Sequence, residues 1–521
     1  MTMQSRRLER NPVWRRIDSA ALMRCPVAVL LLVPTLNAWA QESGGAPALL
    51  IQPRLSLTQT LTDNLRLTSQ GKDAALITNI APGISLVRNT GRIKGSLDYA
   101  LNSLTYTKSS EASQLQNALA AKLTAEAVED WLFVDMQASV SQQAISAFGQ
   151  QAADPSLANG NQSEVASLAV SPYVKGQLAG LVGYDLRTNL TESRAKDSVA
   201  GDVSGRSVAM RLNGLGGTKL LNWVASLSDQ RTQARGSRDV QQLSTTATLL
   251  ITPDIEWNVG LTAGRERNDY TTLSRESSTT YGANANWTPT PRTKLLADWM
   301  RHSYGDSHTL SLEHRMARTV WRLSDSQSVN TGGPQGNAGA MTNYDLYFLQ
   351  YAGLVPDPRE RDVFVRALLV RLGLPPGSLI NSGFLSAAPT LLRSRSFSFS
   401  WQGLRTSVTA MLTQSKSRRI DVQGPAVDDL SQSALVQQRG LSLSLAHQLT
   451  PTDSASLVFS QQQSLGDQRS QGTDLKSLTA NWNGRFGARL SWQLGLRHSR
   501  FESTQQPYRE SAVIATLVQQ F

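Results

Sequence analysis

Apolar and polar residues alternate with a period of two along most of this chain. Between Arg54 and Arg66, Leu55, Leu57, Leu61 and Leu65 are apolar and every even position is polar. Leu441, Leu443, Leu445 and Leu449 alternate with Ser442, Ser444 and Gln448. Leu490, Trp492, Leu494 and Leu496 alternate with Ser491, Gln493, Gly495 and Arg497, and Phe397, Phe399 and Trp401 with Ser398 and Ser400. A period of two belongs to strands, not to helices at 3.6. A soluble sandwich alternates too. Here, however, the runs reach about 12 to 16 residues and one face is continuously polar, which a barrel with lipid outside and water inside requires.

The connections alternate in length. Short turns recur at 89–91, 128–130, 176–177, 216–217, 252–254, 288–292, 402–403, 450–453 and 484–487, and longer polar connections lie near 146–162, 193–202, 232–240, 418–435 and 465–473. Short turns at one end and long loops at the other are the pattern of outer-membrane barrels. Trp131, Trp223, Trp257, Trp287, Trp401 and Trp482 all fall close to short turns, as an aromatic girdle at one membrane interface would. The predicted fold is all-β: a transmembrane, antiparallel, up-and-down barrel of about 18–22 strands. The best count is 22, with 308–322 as one strand and 379–386 as another.

One stretch, 324–390, breaks the alternation. It opens rich in Gly and Asn and then offers a helix near 358–372. Asp357 is placed as N-cap, with Pro358 first and Glu360 third. Val363, Phe364, Ala367, Leu368 and Leu372 form its apolar stripe, opposite Arg359, Arg361, Arg366 and Arg371, and Gly373 with Pro375-Pro376 ends it. Strand parity predicts that this insert starts from the periplasmic side, as a cap, a plug or a docking site.

Residues 1–40 read as a secretory signal peptide: an arginine-rich start, an apolar run from Cys25 to Leu36, and Ala38-Trp39-Ala40 before the cut. The mature barrel domain is then 41–521. The only cysteine is Cys25, so the exported chain has no disulfide to lean on. Of 521 residues 17% are charged, and mean hydropathy is −0.27, which excludes a bundle of membrane helices. The net charge is +11 and arginine greatly outnumbers lysine, which fits phosphate or carboxylate partners. Nucleic acid is the ordinary reading of such a pI, but export argues against it.

The chain ends on Phe521 after Val513, Ala515 and Leu517 in the same parity. This resembles the terminal signature read by the barrel-assembly machinery, with Gln519 departing from it. No H-E-x-x-H, G-x-S-x-G, P-loop or calcium loop is present. His302, His308, His314, His447 and His498 carry no zinc pattern. Neither a metal nor a cofactor is implied, and the reading is non-enzymatic. Arg187, Arg211, Arg265, Arg267, Arg315 and Arg497 occupy polar positions and are expected in the lumen, favouring anions or pairing with acids such as Asp185, Glu266 and Glu313.

Several segments resemble the outer-membrane proteins associated with the PEP-CTERM (exosortase) system. They are Ser56-Leu57-Thr58-x-Thr60-x-Thr62-Asp63-Asn64-Leu65-x-Leu67, Ile80-Ala81-Pro82-Gly83-Ile84-Ser85-Leu86, Leu97-Asp98-Tyr99, Leu132–Asp135 and Ala138–Gln143. The resemblance implies an outer-membrane barrel tied to exopolysaccharide production in Gram-negative bacteria and brings no catalytic residues. The expected function is a channel or assembly component for exopolysaccharide or another envelope component. Expected partners are outer-membrane lipid and lipopolysaccharide, the barrel-assembly machinery, polysaccharide and periplasmic export components. A general porin, a surface scaffold or adhesin using the 146–162 and 418–435 loops, and an outer-membrane hydrolase are the alternatives.

Overall fold

The computed structural model describes residues 49–521 except 108–110, 216–219, 336–341, 352–354, 356–357, 373–382, 422–427 and 468–470. The leader with Ala38 and Ala40, the cap Asp357 and the stop at Gly373 and Pro375-Pro376 lie outside the described residues.

The first strands are β1 (Leu50–Thr62), β2 (Ala75–Arg88), β3 (Ile93–Thr107), β4 (Gln114–Val128), β5 (Leu132–Ala144), β6 (Gln162–Leu178), β7 (Val182–Ala195) and β8 (Val203–Gly214). Then follow β9 (Leu221–Ala234), β10 (Val240–Ile251), β11 (Trp257–Asn268), β12 (Glu276–Thr290), β13 (Thr293–His302), β14 (Gly305–Arg315) and β15 (Thr319–Asn330). After two short strands, β16 (Gly333–Gln335) and β17 (Phe384–Ser386), the chain resumes with β18 (Thr390–Gln402), β19 (Thr406–Arg419), β20 (Leu435–Gln448), β21 (Ser454–Leu465), β22 (Gly472–Arg485), β23 (Leu490–Ser503) and β24 (Tyr508–Gln520). Each long strand pairs antiparallel with its neighbour, β15 with β18 across the insert, and β1 with β24. The result is a closed antiparallel barrel of 22 strands. Closure leaves no sheet edge unpaired, which a sheet in lipid cannot tolerate.

Pairing register carries the sequence alternation around the wall. Leu55, Leu57 and Leu61 of β1 lie opposite Pro82, Ile80 and Leu76 of β2 and opposite Gln519, Leu517 and Val513 of β24. All of these except Gln519 are apolar, and they form an outward band. The opposite parity turns inward. Thr60, Thr62, Ser398, Ser400, Thr409, Ser442 and Ser499 are buried there. Trp257 and Trp287 stack at 5.3 Å at the short-turn end, where Trp131, Trp223 and Trp482 are exposed on the outside. Phe521 closes the seam, its N–H donating to the carbonyl of Pro53 at 3.0 Å.

Three sequence expectations need correction. The run at 308–322 is two strands, β14 and β15, turning at Met316 to Arg318 without glycine or proline to mark it. The segment at 379–386 is no stave: its described part, β17, pairs with β16 and touches β5 through Phe384 and Ala144. The β6–β7 turn falls at Ala179-Gly180, not at Gly176-Gln177. Its two positive φ values, 50° and 68°, and the Leu181 N–H to Leu178 carbonyl bond make it a type I′ hairpin. The two errors at 308–322 and 379–386 cancel in the count, but they reverse the insert. Because β15 runs away from the Met316–Arg318 turn, the insert leaves the barrel at the long-loop end, opposite to the expectation.

Candidate functional site

The lumen is occupied by two segments of the chain itself. In the insert, β16 and β17 form a stem, and beyond it α1 (Asn343–Gln350) packs on α2 (Pro358–Leu372). Leu346, Val365, Leu368 and Leu369 are buried in this hairpin, and Tyr351 meets Phe364 edge-on at 4.9 Å. The Tyr344 hydroxyl donates to Asp362, and Arg366 Nε donates to the same carboxylate at 3.0 Å while its guanidinium lies over the Tyr344 ring. Burial, with the Asp362 bond, raises the Tyr344 hydroxyl well above its usual value.

The hairpin leans on β18 and β19. Arg361, buried and lying over the Phe348 ring, faces Glu313 and Arg322 on the inner wall as well as Arg315. Burial lowers its pKa, Glu313 opposes this, and Arg315 and Arg322 add to it. On the far side, Tyr344, Asp362 and Arg366 border a cavity of about 580 Å³ whose other wall is Lys122, Gln137, Ser139, Ser167 and Thr191. The hairpin therefore stands across the barrel, between facing walls.

The second segment is the β5–β6 connection, 145–161. It folds inward instead of projecting as an external loop. Tyr106 and Tyr508 donate to the carbonyls of Ser156 (3.1 Å) and Gln151 (2.7 Å). Leu157 joins Leu65, Leu67, Ile77, Leu104, Tyr106, Phe501 and Tyr508 in an apolar cluster. Arg497 holds the loop electrostatically. It donates to Asp154 and, through Nη2 at 2.8 Å, to Glu510. Burial raises the Asp154 pKa, but the Arg497 charge and bonds from Ser156 outweigh it, so the carboxyl ends below its usual value. Beneath this loop lies a cavity of about 480 Å³ of mixed lining, its polar groups including Asn79, Asp98, Asn102, Gln116, Gln143 and Asp154.

The six predicted lumenal arginines divide. Arg187, Arg211, Arg315 and Arg497 lie on the inward parity. Arg187 pairs with Asp135 at 3.0 Å and lies over Tyr173, Arg315 approaches Glu313 at 3.5 Å, and Arg211 stands opposite Asp185. Arg265 and Arg267 share the parity of Trp257 and Leu261, which is 56% exposed, so they point outward near the long-loop rim. The inward face of β11 belongs instead to Thr262, Glu266 and Asn268, all buried. Expecting every polar arginine in the lumen fails because at the strand ends, beyond the apolar band, outward positions are polar as well.

Sequence reasoning missed two inward groups. Arg54 grips Asp98 through two bonds of 2.7 and 2.9 Å. A Cβ at Gly83 would lie 3.1 Å from Arg54 Nε and 2.8 Å from the Tyr99 carbonyl, so only glycine leaves room. The second is a line of three side chains: Ser307 Oγ stands 2.9 Å from His302 Nε2, and His302 Nδ1 stands 2.6 Å from Glu266. Glu266 also accepts from the Ser303 N–H, and Tyr304 stacks on the imidazole at 4.8 Å. A buried acid orienting a histidine that bonds a hydroxyl is the arrangement of nucleophilic triads. The three residues lie on different strands, 36 and 5 positions apart, and the period-two pattern contains nothing that would group them. The other histidines lie outward, His308 on Asp325, His314 on Thr293, His447 on Thr406 and His498 on Ser511. Among the described residues no cluster could hold a metal.

No family model and no curated protein matches the chain. Among solved structures it is similar to the FrpB iron transporter of Neisseria meningitidis (10% identity, 90% of this chain and 81% of that one, TM-score 0.46). It is also similar to the siderophore receptor PirA of Acinetobacter baumannii (10% identity, 90% and 80%, TM-score 0.46) and to OccK5 (OpdH) of Pseudomonas aeruginosa (9% identity, 91% and 98%, TM-score 0.32). The fold assignment rests on this chain's own strand pairing.

Proposed function

We propose that this protein is an outer-membrane conduit closed by its own insert, with an exopolysaccharide or another exported envelope polymer as its cargo. The observation that carries the reading is the α1–α2 hairpin standing inside the barrel. Space remains on both sides of it, between Tyr344, Asp362 and Arg366 and the wall at Gln137, Ser139 and Ser167, and between Tyr347, Tyr351 and Leu368 and the wall at Gln402, Ser407 and Gln493. A hairpin that enters from the long-loop end is a removable obstruction. The cargo class comes from the family resemblance. The lumenal arginines are mostly compensated by acids, so charge selects anions less strongly than six free guanidinium groups would. An adhesin is the weaker alternative, because the 145–161 loop is tied into the lumen.

The test is single-channel conductance in planar bilayers, comparing the full mature chain with a variant in which 336–382 is replaced by a short Gly-Ser linker. Near-silence from the full chain and large steady steps from the variant are expected. Equal open conductance from both would mean a general porin. Silence from both, with barrels folded by their heat-shifted gel mobility, would overturn the conduit.

A second reading has one observation in its favour, the Ser307–His302–Glu266 line, which would serve acyl transfer at the long-loop mouth. A fluorophosphonate probe that labels Ser307, and loses it in His302→Ala, would support a hydrolase. No labelling over the pH range 6 to 9 would remove it.

A further inference from the structure

The outward face of the barrel carries an unassigned concentration of cations. Where β18, β19 and β20 approach the long-loop end, Arg393, Arg395, Lys416, Arg418 and Arg439 all lie on the outward parity. Register fixes this. Arg393 stands opposite Lys416, and Arg395 and Arg439 both stand opposite Gln414, in the parity of Phe397, Leu412 and Leu441. The intervening residues turn inward and are buried: Ser394, Ser398, Ser415, Ser417 and Gln438. Three adjacent strands at about 4.8 Å spacing, with same-face residues about 7 Å apart, therefore put five cations within a patch roughly 10 by 15 Å. Among the described residues Asp325 is the one acid that pairs with them, meeting Arg393 at 2.7 Å and Arg395 at 3.1 Å, so the patch keeps a clear positive excess.

Its height is equally specific. The patch borders the outward apolar band directly, with Leu412, Leu443 and Leu445 exposed below it. At about 2.3 Å of rise per residue for a strand tilted near 45°, Arg393 lies roughly 19 Å above Trp401 of the short-turn girdle. That is most of the height of an apolar band about 25 Å tall, and the long arginine and lysine side chains reach the rest of the way, so their charged ends sit at headgroup level. A soluble anion would have no reason to prefer a site whose lower edge is leucine. A molecule with phosphates above acyl chains satisfies both halves, the guanidinium forks taking phosphate oxygens and the leucines taking the chains.

We propose that this face is a binding site for one diphosphorylated glycolipid of the surrounding leaflet, held by Arg393, Arg395, Lys416, Arg418 and Arg439. The site depends on the outward wall and is independent of what passes through the lumen.

The full mature barrel, in neutral-lipid nanodiscs, is titrated with hexa-acylated diphosphoryl lipid A and bound lipid is counted by native mass spectrometry. Retention of one lipid A is expected, weakened at least tenfold for the fully dephosphorylated lipid and weakened by salt. Changing all five cations to Gln should abolish retention, while R265Q/R267Q leaves it. Inorganic phosphate at millimolar levels should not displace the lipid. Equal retention of dephosphorylated lipid A by the wild-type barrel would overturn the proposal without relying on any variant. Displacement by inorganic phosphate would show a free-anion site and overturn it too. So would equal retention by a correctly folded five-site variant.

Discussion

Asp428 and Asp429 are adjacent in the chain and clasp two different segments at the long-loop end of the barrel. Asp428 accepts from the Ser386 hydroxyl (2.7 Å) and the Ala387 N–H (2.9 Å), at the base of the insert. Asp429 accepts from the Ser146 hydroxyl (2.7 Å) and the Ala147 N–H, at the root of the inward loop. Both sit at the start of the one-turn helix α3 (Asp429–Gln432), whose Leu430 is buried with Ala147, Phe384, Ala388 and Val436. One connection thus ties down both obstructions of the lumen.

Separate release should follow. Asp428→Asn is expected to speed amide exchange at 386–387 and Asp429→Asn at 146–147, each costing about 1–2 kcal/mol through weakened charge-assisted bonds. Hydrogen exchange with mass spectrometry resolves the two segments. Loosening of both by either change would mean that they open as a unit.

Arg497 compensates two carboxylates, and Glu510 is fully buried beside it. Arg497→Met should therefore cost roughly 3–5 kcal/mol by leaving buried charge unpaired. Adding Asp154→Asn and Glu510→Gln should return most of that loss. Urea unfolding in detergent, followed by tryptophan fluorescence, measures both.

Acid should free the inward loop. The Asp154 carboxyl titrates below its ordinary 3.8 in the folded barrel. Its contribution is therefore complete above 3.8 and disappears as pH falls through the lowered folded value. Conductance of the insert-deleted barrel should be flat from pH 7 to about 4 and become larger and noisier below that. In Asp154→Asn the noise should already be present at pH 7.

Wall parity has its own test. Leu443→Arg places a charge in the outward apolar band and should cost about 2–4 kcal/mol near mid-depth. Arg265→Leu, outward at the rim, should change stability by less than about 1 kcal/mol. Reversible folding into bilayers measures the two. A mild effect at Leu443 would contradict the register.

Much of the wall was legible in the chain, because lipid outside and water inside impose opposite demands on successive residues. Leu55, Leu57 and Leu61, or Phe397, Phe399 and Trp401, therefore announce strand and face together. The tryptophan girdle and Phe521 are local marks of the same kind. The sequence alone determined an all-β barrel of about this size with one interruption that holds a helix at 358–372. It did not determine where that interruption goes, since direction depends on counting every strand, and the Met316–Arg318 turn carries no turn residues. Nor could it sort the arginines: Arg497 and Arg265 are both polar-face residues by local pattern. Only register put one beside Glu510 and the other on the outer rim. Asp154 with Arg497, Asp428 with Ser386, and His302 with Glu266 meet across 343, 42 and 36 positions. Closing the sheet into a ring sets those distances, and no period along the chain encodes them.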